Sequence, residues 1–288
     1  MQCNVCGATA SGEVEEGRVR SNVRKFAHET FALWRCPSCL SIHARDEVDL
    51  AHYYADYPFH KLSESTVDWM LQTMYGQLLS RLRRAGVTEN SRLLDYGCGS
   101  GLFLSYLRER GFTDTYGYDE YSERFADKSV LEQPFDCVLA QDVIEHVPDP
   151  QAFVKRLHEL TKPGAVIALG TPNAEAIDLQ NPEARVHTLH QPYHRHILSK
   201  RALQGLGKEL SWELLTYYPT MYANTGVPGV NSAFLEHYFK CFDNNCDLAV
   251  EPIKLSSWKL YSPVTLAHFL FGSFWPPECD VMAVFRRG

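Results

Sequence analysis

Residues Leu93 to Leu104 read Leu-Leu-Asp-Tyr-Gly-Cys-Gly-Ser-Gly-Leu-Phe-Leu. An apolar run closes on Asp95, glycines follow at every second position (Gly97, Gly99, Gly101), and an amphipathic pattern then resumes. That order predicts a strand, a glycine turn and a helix. Glycine lets the backbone of such a turn approach a ligand that side chains would hold off, and the turn presents its amides at a helix N-terminus. The stretch therefore predicts an α/β fold with a nucleotide-like pocket.

Spacing narrows the occupant. A dinucleotide fingerprint has Gly-x-Gly-x-x-Gly, and a phosphate loop has Gly-Lys-Ser/Thr after its glycines; this chain has Asp-x-Gly-x-Gly-x-Gly and neither of those. A net charge of −7, from 35 acids against 28 Lys and Arg, leaves no basic footprint for a polyanion, so nucleic acid is disfavoured as a partner. No charged N-region with an apolar core opens the chain, and no apolar run reaches the length of a membrane span, so cytosol is the expected compartment. The longest apolar candidate, Pro263 to Trp275, is too short to cross a bilayer and is expected to be a buried or interfacial helix.

Four of the nine cysteines form two pairs, Cys3-x-x-Cys6 and Cys36-Pro-Ser-Cys39. Paired knuckles of this kind suit tetrahedral zinc, because each places two thiolates about a tight turn. A zinc ribbon is expected over residues 1–48, with its long intervening segment folded as a hairpin through Val19 to Val23 and Thr30 to Trp34. Four thiolates fill the coordination sphere, which makes the metal structural. His28 and His43 are candidate replacement ligands, although a lone histidine is more often a polar surface residue.

Residues 49–90 shift to helix formers and read as a helical linker or cap. Tyr53, Tyr54, Tyr57 and Phe59 precede a helix from about Ser65 to Ala85, whose Trp69, Leu71, Met74, Leu78, Leu79 and Leu82 make an apolar stripe. The tyrosines either line the mouth of a ligand pocket or pack beneath a loop.

Beyond the glycine turn, Thr115 to Asp119 reads as a second strand, and Asp119 stands where a carboxylate accepts hydrogen bonds from ribose hydroxyls. The next fifteen residues hold no clear strand, so a third strand is abbreviated or missing and the adenine contact stays unassigned. Phe135 to Ala140 is an apolar strand ending in Gln141, Asp142, Glu145 and His146, and Thr161 to Asn173 repeats the pattern of turn, strand and polar exit. These three motifs, in this order, resemble the class I S-adenosylmethionine-dependent methyltransferases. The resemblance implies a Rossmann-like sheet over residues 91–288, S-adenosylmethionine as cofactor, and a cofactor site built from Asp95, Gly97, Gly99, Gly101, Asp119 and, for the methionine half, Gln141.

His187, His190, His194 and His196 crowd one loop beyond that strand. Imidazole titrates near neutrality, so a general base is a stronger reading of this loop than a metal cluster. Tyr193-His194-Arg195-His196, with the cysteine pairs and the tyrosine-rich segment, is similar to the zinc-containing sugar C-methyltransferases, which carry Tyr-His-Glu-His here. That similarity implies His196 as base and Tyr193 as its neighbour in the acceptor pocket, with Arg195 in place of the glutamate. After a strand at Trp212 to Tyr218, residues 218–277 form an insertion before the closing strand at Asp280 to Phe285, suited to covering substrate or packing a homodimer. The expected activity is methyl transfer to a small-molecule acceptor. An RNA methyltransferase gripping its substrate with the ribbon and a non-catalytic binding protein on the same fold are the alternatives.

Overall fold

The computed structural model describes residues 1–58, 67–251 and 258–288. Strands β1 (Glu16–Arg20), β2 (Thr30–Arg35) and β3 (Ile42–Ala44) form an antiparallel ribbon behind the first cysteine pair. The first arm of the expected hairpin stops at Arg20; Ser21 turns the chain instead, and its Oγ accepts a hydrogen bond from the Val23 amide at 3.2 Å. Helix α1 (Leu50–Tyr54) and helix α2 (Trp69–Arg84) follow, each started by an aspartate, Asp49 and Asp68, whose side chain accepts a backbone amide of the first turn. Phe59 and the start expected at Ser65 lie outside the described residues.

The chain then runs β4 (Leu93–Tyr96), α3 (Leu102–Arg108), β5 (Thr115–Tyr118), β6 (Phe135–Gln141), α4 (Pro150–Glu159) and β7 (Thr161–Pro172). A 3-10 turn at Lys128–Glu132 takes the place of a third strand between β5 and β6. Helix α5 (Val186–Leu189), strand β8 (His196–Ile197), helix α6 (Lys200–Glu209) and strand β9 (Trp212–Tyr218) come next. Helices α7 (Ser232–Cys241) and α8 (Pro263–Phe271) lie in the insertion, and β10 (Asp280–Arg287) closes the fold. The main sheet has the order β5-β4-β6-β7-β10-β9, parallel except that β10 runs antiparallel to both neighbours.

Side chains alternate across this sheet and build two cores. Leu94, Val138, Ile167, Val281 and Phe285 face α4 and α6 with Phe153, Leu157, Leu203 and Leu206. Leu93, Leu139, Val166, Met282 and Val284 face α2 and α3 with Leu78, Leu82, Phe103 and Leu107. The first core extends into the ribbon, because Cys3, Val5, Trp34, Cys36 and Cys39 belong to the same apolar cluster. Strand β8 leaves the main sheet and pairs with β3, Ile42 opposite Ile197 and His43 opposite His196, so the ribbon is hydrogen-bonded to the loop that follows β7.

The Pro263 to Trp275 stretch forms α8 and a 3-10 turn at Gly272–Phe274. Its Val264, Leu266, Phe271 and Phe274 are exposed, which rules out the buried alternative of the two expected for it. Among the described residues no helix is long and apolar enough to cross a membrane.

Candidate active site

The glycine turn sits at the carboxyl edge of β4 and joins β5 directly. The Gly97 amide donates to the Tyr118 carbonyl at 2.7 Å, and the Gly99 amide donates to Asp119 Oδ2 at 2.9 Å. Asp119 Oδ1 accepts from the Tyr121 amide at 2.9 Å, so its carboxylate is fixed across the turn. Each oxygen keeps a lone pair for a ligand hydroxyl. All three glycines have positive φ, at 81°, 53° and 78°, which only glycine adopts without strain. They differ in what surrounds them. A Cβ on Gly97 would strike Val143 and one on Gly101 would strike the Phe125 ring, whereas one on Gly99 would meet nothing within 4 Å. The open space lies over Gly99. Asp95 is buried beneath it, and burial together with the neighbouring Asp119 charge pushes its carboxyl up to about 7.

Gln141 ends β6 with its carboxamide lying where a Cβ of residue 170 would be; the bare Gly170 on β7 makes that room. Its Nε2 donates to Asp142 Oδ1 at 2.9 Å, and its Oε1 is buried without a hydrogen-bond partner. Such an acceptor is costly unless a ligand satisfies it. Asp142 has φ 56°, a left-handed bend that ends the strand and turns its carboxylate along the edge. Glu145 is fully buried; its Oε2 accepts from Thr171 Oγ1 at 3.0 Å and its Oε1 has no partner. Gly170→Ala should push the Gln141 carboxamide aside and weaken cofactor binding by about tenfold, roughly 1.4 kcal/mol. Calorimetric titration of the variant with S-adenosylmethionine checks this, and an undiminished affinity would separate Gln141 from the ligand.

The histidine loop is placed differently from its sequence reading. His196 lies on β8, buried, with its Nε2–H donating to the Ile144 carbonyl at 2.9 Å and its ring 6.2 Å from that of His43. Burial lowers its pKa to about 3, and it faces the ribbon rather than the open edge. This placement argues against the base role expected for His196 and gives it a strut's position between ribbon and sheet. Tyr193 is also fully buried, its hydroxyl donating to the Tyr53 carbonyl at 3.1 Å and its ring packed against Tyr54, Tyr57 and His190. His194 donates from Nδ1 to the Thr188 carbonyl at 2.9 Å, and His190 from Nδ1 to Asn22 Oδ1 at 2.7 Å. Nearer the edge, the Tyr54 hydroxyl meets His146 Nδ1 at 3.1 Å, and the Tyr54 ring lies parallel to that of the exposed Tyr121, two residues beyond Asp119.

The four paired cysteines converge. Cys3 and Cys39 Sγ lie 3.6 Å apart, Cys6 and Cys36 Sγ 3.8 Å apart, and all four sulfurs fall within 4.8 Å of one another. A tetrahedron with zinc–sulfur bonds of about 2.3 Å has edges of about 3.8 Å, so the cluster fits a zinc motif. His43, one of the two candidate replacement ligands, is buried with Nε2 3.2 Å from Cys3 Sγ and its ring stacked on Trp34.

A protein-family model described as "Methyltransferase domain" matches residues 70–217, just over half of the chain. The chain belongs to this methyltransferase-domain family. It is similar to the ubiquinone biosynthesis O-methyltransferase of Leptothrix cholodnii, 28% identical over 153 residues that cover 43% of this chain and 60% of that protein. The protein of the same name from Pseudomonas aeruginosa is 28% identical over 162 residues, covering 47% and 62% respectively. The chain thus spans about three-fifths of the length of the curated relatives it matches. Among solved structures, an S-adenosylmethionine-dependent methyltransferase from Archaeoglobus fulgidus is 18% identical with a TM-score of 0.43, covering 74% of this chain and 94% of that one.

The matched segment of the methyltransferase domain runs from α2 to β9 and so includes the glycine turn, Asp119 and the Gln141 edge. The cysteine ribbon, the insertion and β10 lie outside it. One acid at the edge that sequence reading passed over is Asp280, the first residue of β10, opposite Pro172 at the end of β7.

Proposed function

We propose that this methyltransferase domain transfers a methyl group from S-adenosylmethionine to an oxygen of a small-molecule acceptor. The observation that carries the reading is the convergence, at one sheet edge, of the open space over Gly99, the Asp119 carboxylate fixed beside it and the unpartnered Gln141 Oε1. S-adenosylmethionine supplies a methyl group made electrophilic by its sulfonium. Asp119 takes the ribose hydroxyls, the glycine turn accommodates the sugar and methionine chain, and Gln141 accepts a hydrogen bond from the methionine end. Tyr54, Tyr121 and His146 stand beside that pocket and shape the acceptor's approach. Positioning of donor and acceptor supplies much of the rate. Oxygen as the acceptor atom and a small-molecule substrate follow the named activity of the curated relatives. The Cys3, Cys6, Cys36 and Cys39 cluster holds a structural zinc.

The net charge of −7 disfavours the RNA alternative. Titration of the purified protein with S-adenosylmethionine in a calorimeter should show one site. A labelled-methyl screen should then place radioactivity in hydroxylated small molecules and not in RNA. Absence of cofactor binding overturns the catalytic reading; label entering RNA overturns the acceptor class.

A further inference from the structure

Strand β10 runs antiparallel in the sheet, so its first residues, not its last, stand at the edge where β4, β6 and β7 end. That puts Asp280 beside Pro172, two register positions beyond the Met282–Gly170 pair over which Gln141 lies. Its parity places it on the same sheet face as Met282 and Val284, toward α2 and α3. Facing it are Asp142 from the end of β6, Glu145 from the loop after β6, Glu236 from α7, Arg185 from the 3-10 turn before α5 and Tyr222 from the turn after β9; Cys279 adjoins it on its own strand. Arg185 is the one cation among these groups, and its Nη1 is held by Glu236 Oε1 at 2.7 Å. Asp142 has the Gln141 amide as donor, Glu145 has Thr171, and Asp280 has no hydrogen-bond partner for its carboxylate among the described residues. It is also only half-buried, unlike Glu145.

We propose that Asp280 is the general base of the transfer, and that binding of the cationic cofactor arms it by displacing the proton it holds in the free protein. The inference rests on the methyltransferase reading above. Desolvation of the half-buried carboxyl, with Asp142 and Glu236 nearby, pushes Asp280 up to about 7, which favours its protonated form in the free protein at pH 6. A positive charge entering the same edge favours the carboxylate, and the proton leaves to solvent. During transfer the acceptor's hydroxyl proton passes to Asp280 while the acceptor oxygen forms its bond to the methyl carbon and the carbon–sulfur bond breaks, its electron pair remaining on sulfur. The product thioether is neutral and Asp280 is again protonated, which restores the starting charge of the cleft.

The test compares S-adenosylmethionine with S-adenosylhomocysteine, which differ by one charge, in calorimetric titrations at pH 6 in buffers of different ionisation enthalpy. The wild-type protein should release more protons with the sulfonium than with the thioether, because Asp95 and Glu145, also raised by burial, face the same charge as Asp280. Asp280→Asn should lower the release with S-adenosylmethionine by about one proton per site, and Asp280→Glu should restore it. Should the Asn variant not fold, the infrared carbonyl band lost with the sulfonium and kept with the thioether should shift in frequency in Asp280→Glu, which assigns it to this position. With an acceptor found in the labelled-methyl screen, Asp280→Asn should lower kcat by about 100-fold at unchanged KM. Equal release with the sulfonium and the thioether, release undiminished in Asp280→Asn, a carbonyl band unmoved in Asp280→Glu, or an unchanged kcat each overturns the proposal while leaving the methyltransferase reading in place. Failure of the wild type to bind S-adenosylmethionine at all overturns that reading first.

Discussion

Gly99→Arg should abolish cofactor binding while leaving the fold intact. The three glycines of the turn are equally permissive in backbone but not in surroundings. A side chain at Gly97 or Gly101 would collide with Val143 or Phe125 and so disturb packing as well as binding. A side chain at Gly99 enters the open space, so its cost to the protein is confined to left-handed backbone strain at φ 53°, on the order of 1 kcal/mol. The melting temperature should therefore fall by only a few degrees. The arginine enters the open space over the turn, where the proposed cofactor would lie, and brings a positive charge beside a cationic molecule. Affinity for S-adenosylmethionine should drop by at least 100-fold, roughly 2.7 kcal/mol, in a calorimetric titration. A variant that binds as tightly as the wild type would place the cofactor somewhere other than over this turn.

Much of this edge is legible in the sequence because its signals are local. An apolar run predicts β6, Asp149 before Pro150 marks the start of α4, Ser199 marks α6, and the spacing of Asp119 from the glycines follows from one helix and one strand. What escapes is set by pairing between distant segments. Strand β8 is two residues long and carries no strand pattern, yet its partnership with β3 turns His196 toward the ribbon and away from the open edge. His43 reads as either a replacement ligand or a surface histidine until that pairing buries it. Asp280 reads as the mere start of a closing strand, and its importance follows from strand direction: an antiparallel strand brings its first residue to the edge where parallel neighbours bring their last. For α8 the sequence leaves a buried and an interfacial helix open, since periodicity reports a helix face and not which way it turns, and its exposed apolar side chains select the second.

Removal of the proposed zinc should loosen the ribbon and the loop after β7 before it disturbs the glycine turn. The second cysteine knuckle is tied into the main domain: the Ser199 hydroxyl donates to the Cys39 carbonyl and accepts from the Ala202 amide at 3.0 Å, so the knuckle holds the cap of α6 in place. From β2, the Arg35 guanidinium donates to the carbonyls of Ala174 at 3.1 Å and Ile177 at 2.5 Å, pinning the chain just after β7. The Arg195 carbonyl accepts from the Ala44 amide at 2.8 Å, and the Arg195 amide donates to the Glu145 carbonyl at 2.9 Å, which links the ribbon to the acid-bearing loop after β6. Without a metal the sulfurs take up protons and lose the bonds that join the two knuckles, so the knuckles should open and release β3, β8 and the α6 cap together. With a strong chelator, or in Cys36→Ser, the melting temperature should fall by roughly 10 °C, corresponding to about 3–5 kcal/mol. Amide exchange should accelerate at 196–203. The Gly97 to Gly101 turn hydrogen-bonds to β5 and to Asp119, not to the ribbon, so S-adenosylmethionine affinity should stay within about threefold, under 1 kcal/mol. Unchanged exchange at 196–203 after metal removal would show that packing against α4, not the cysteine cluster, holds the ribbon to the loop.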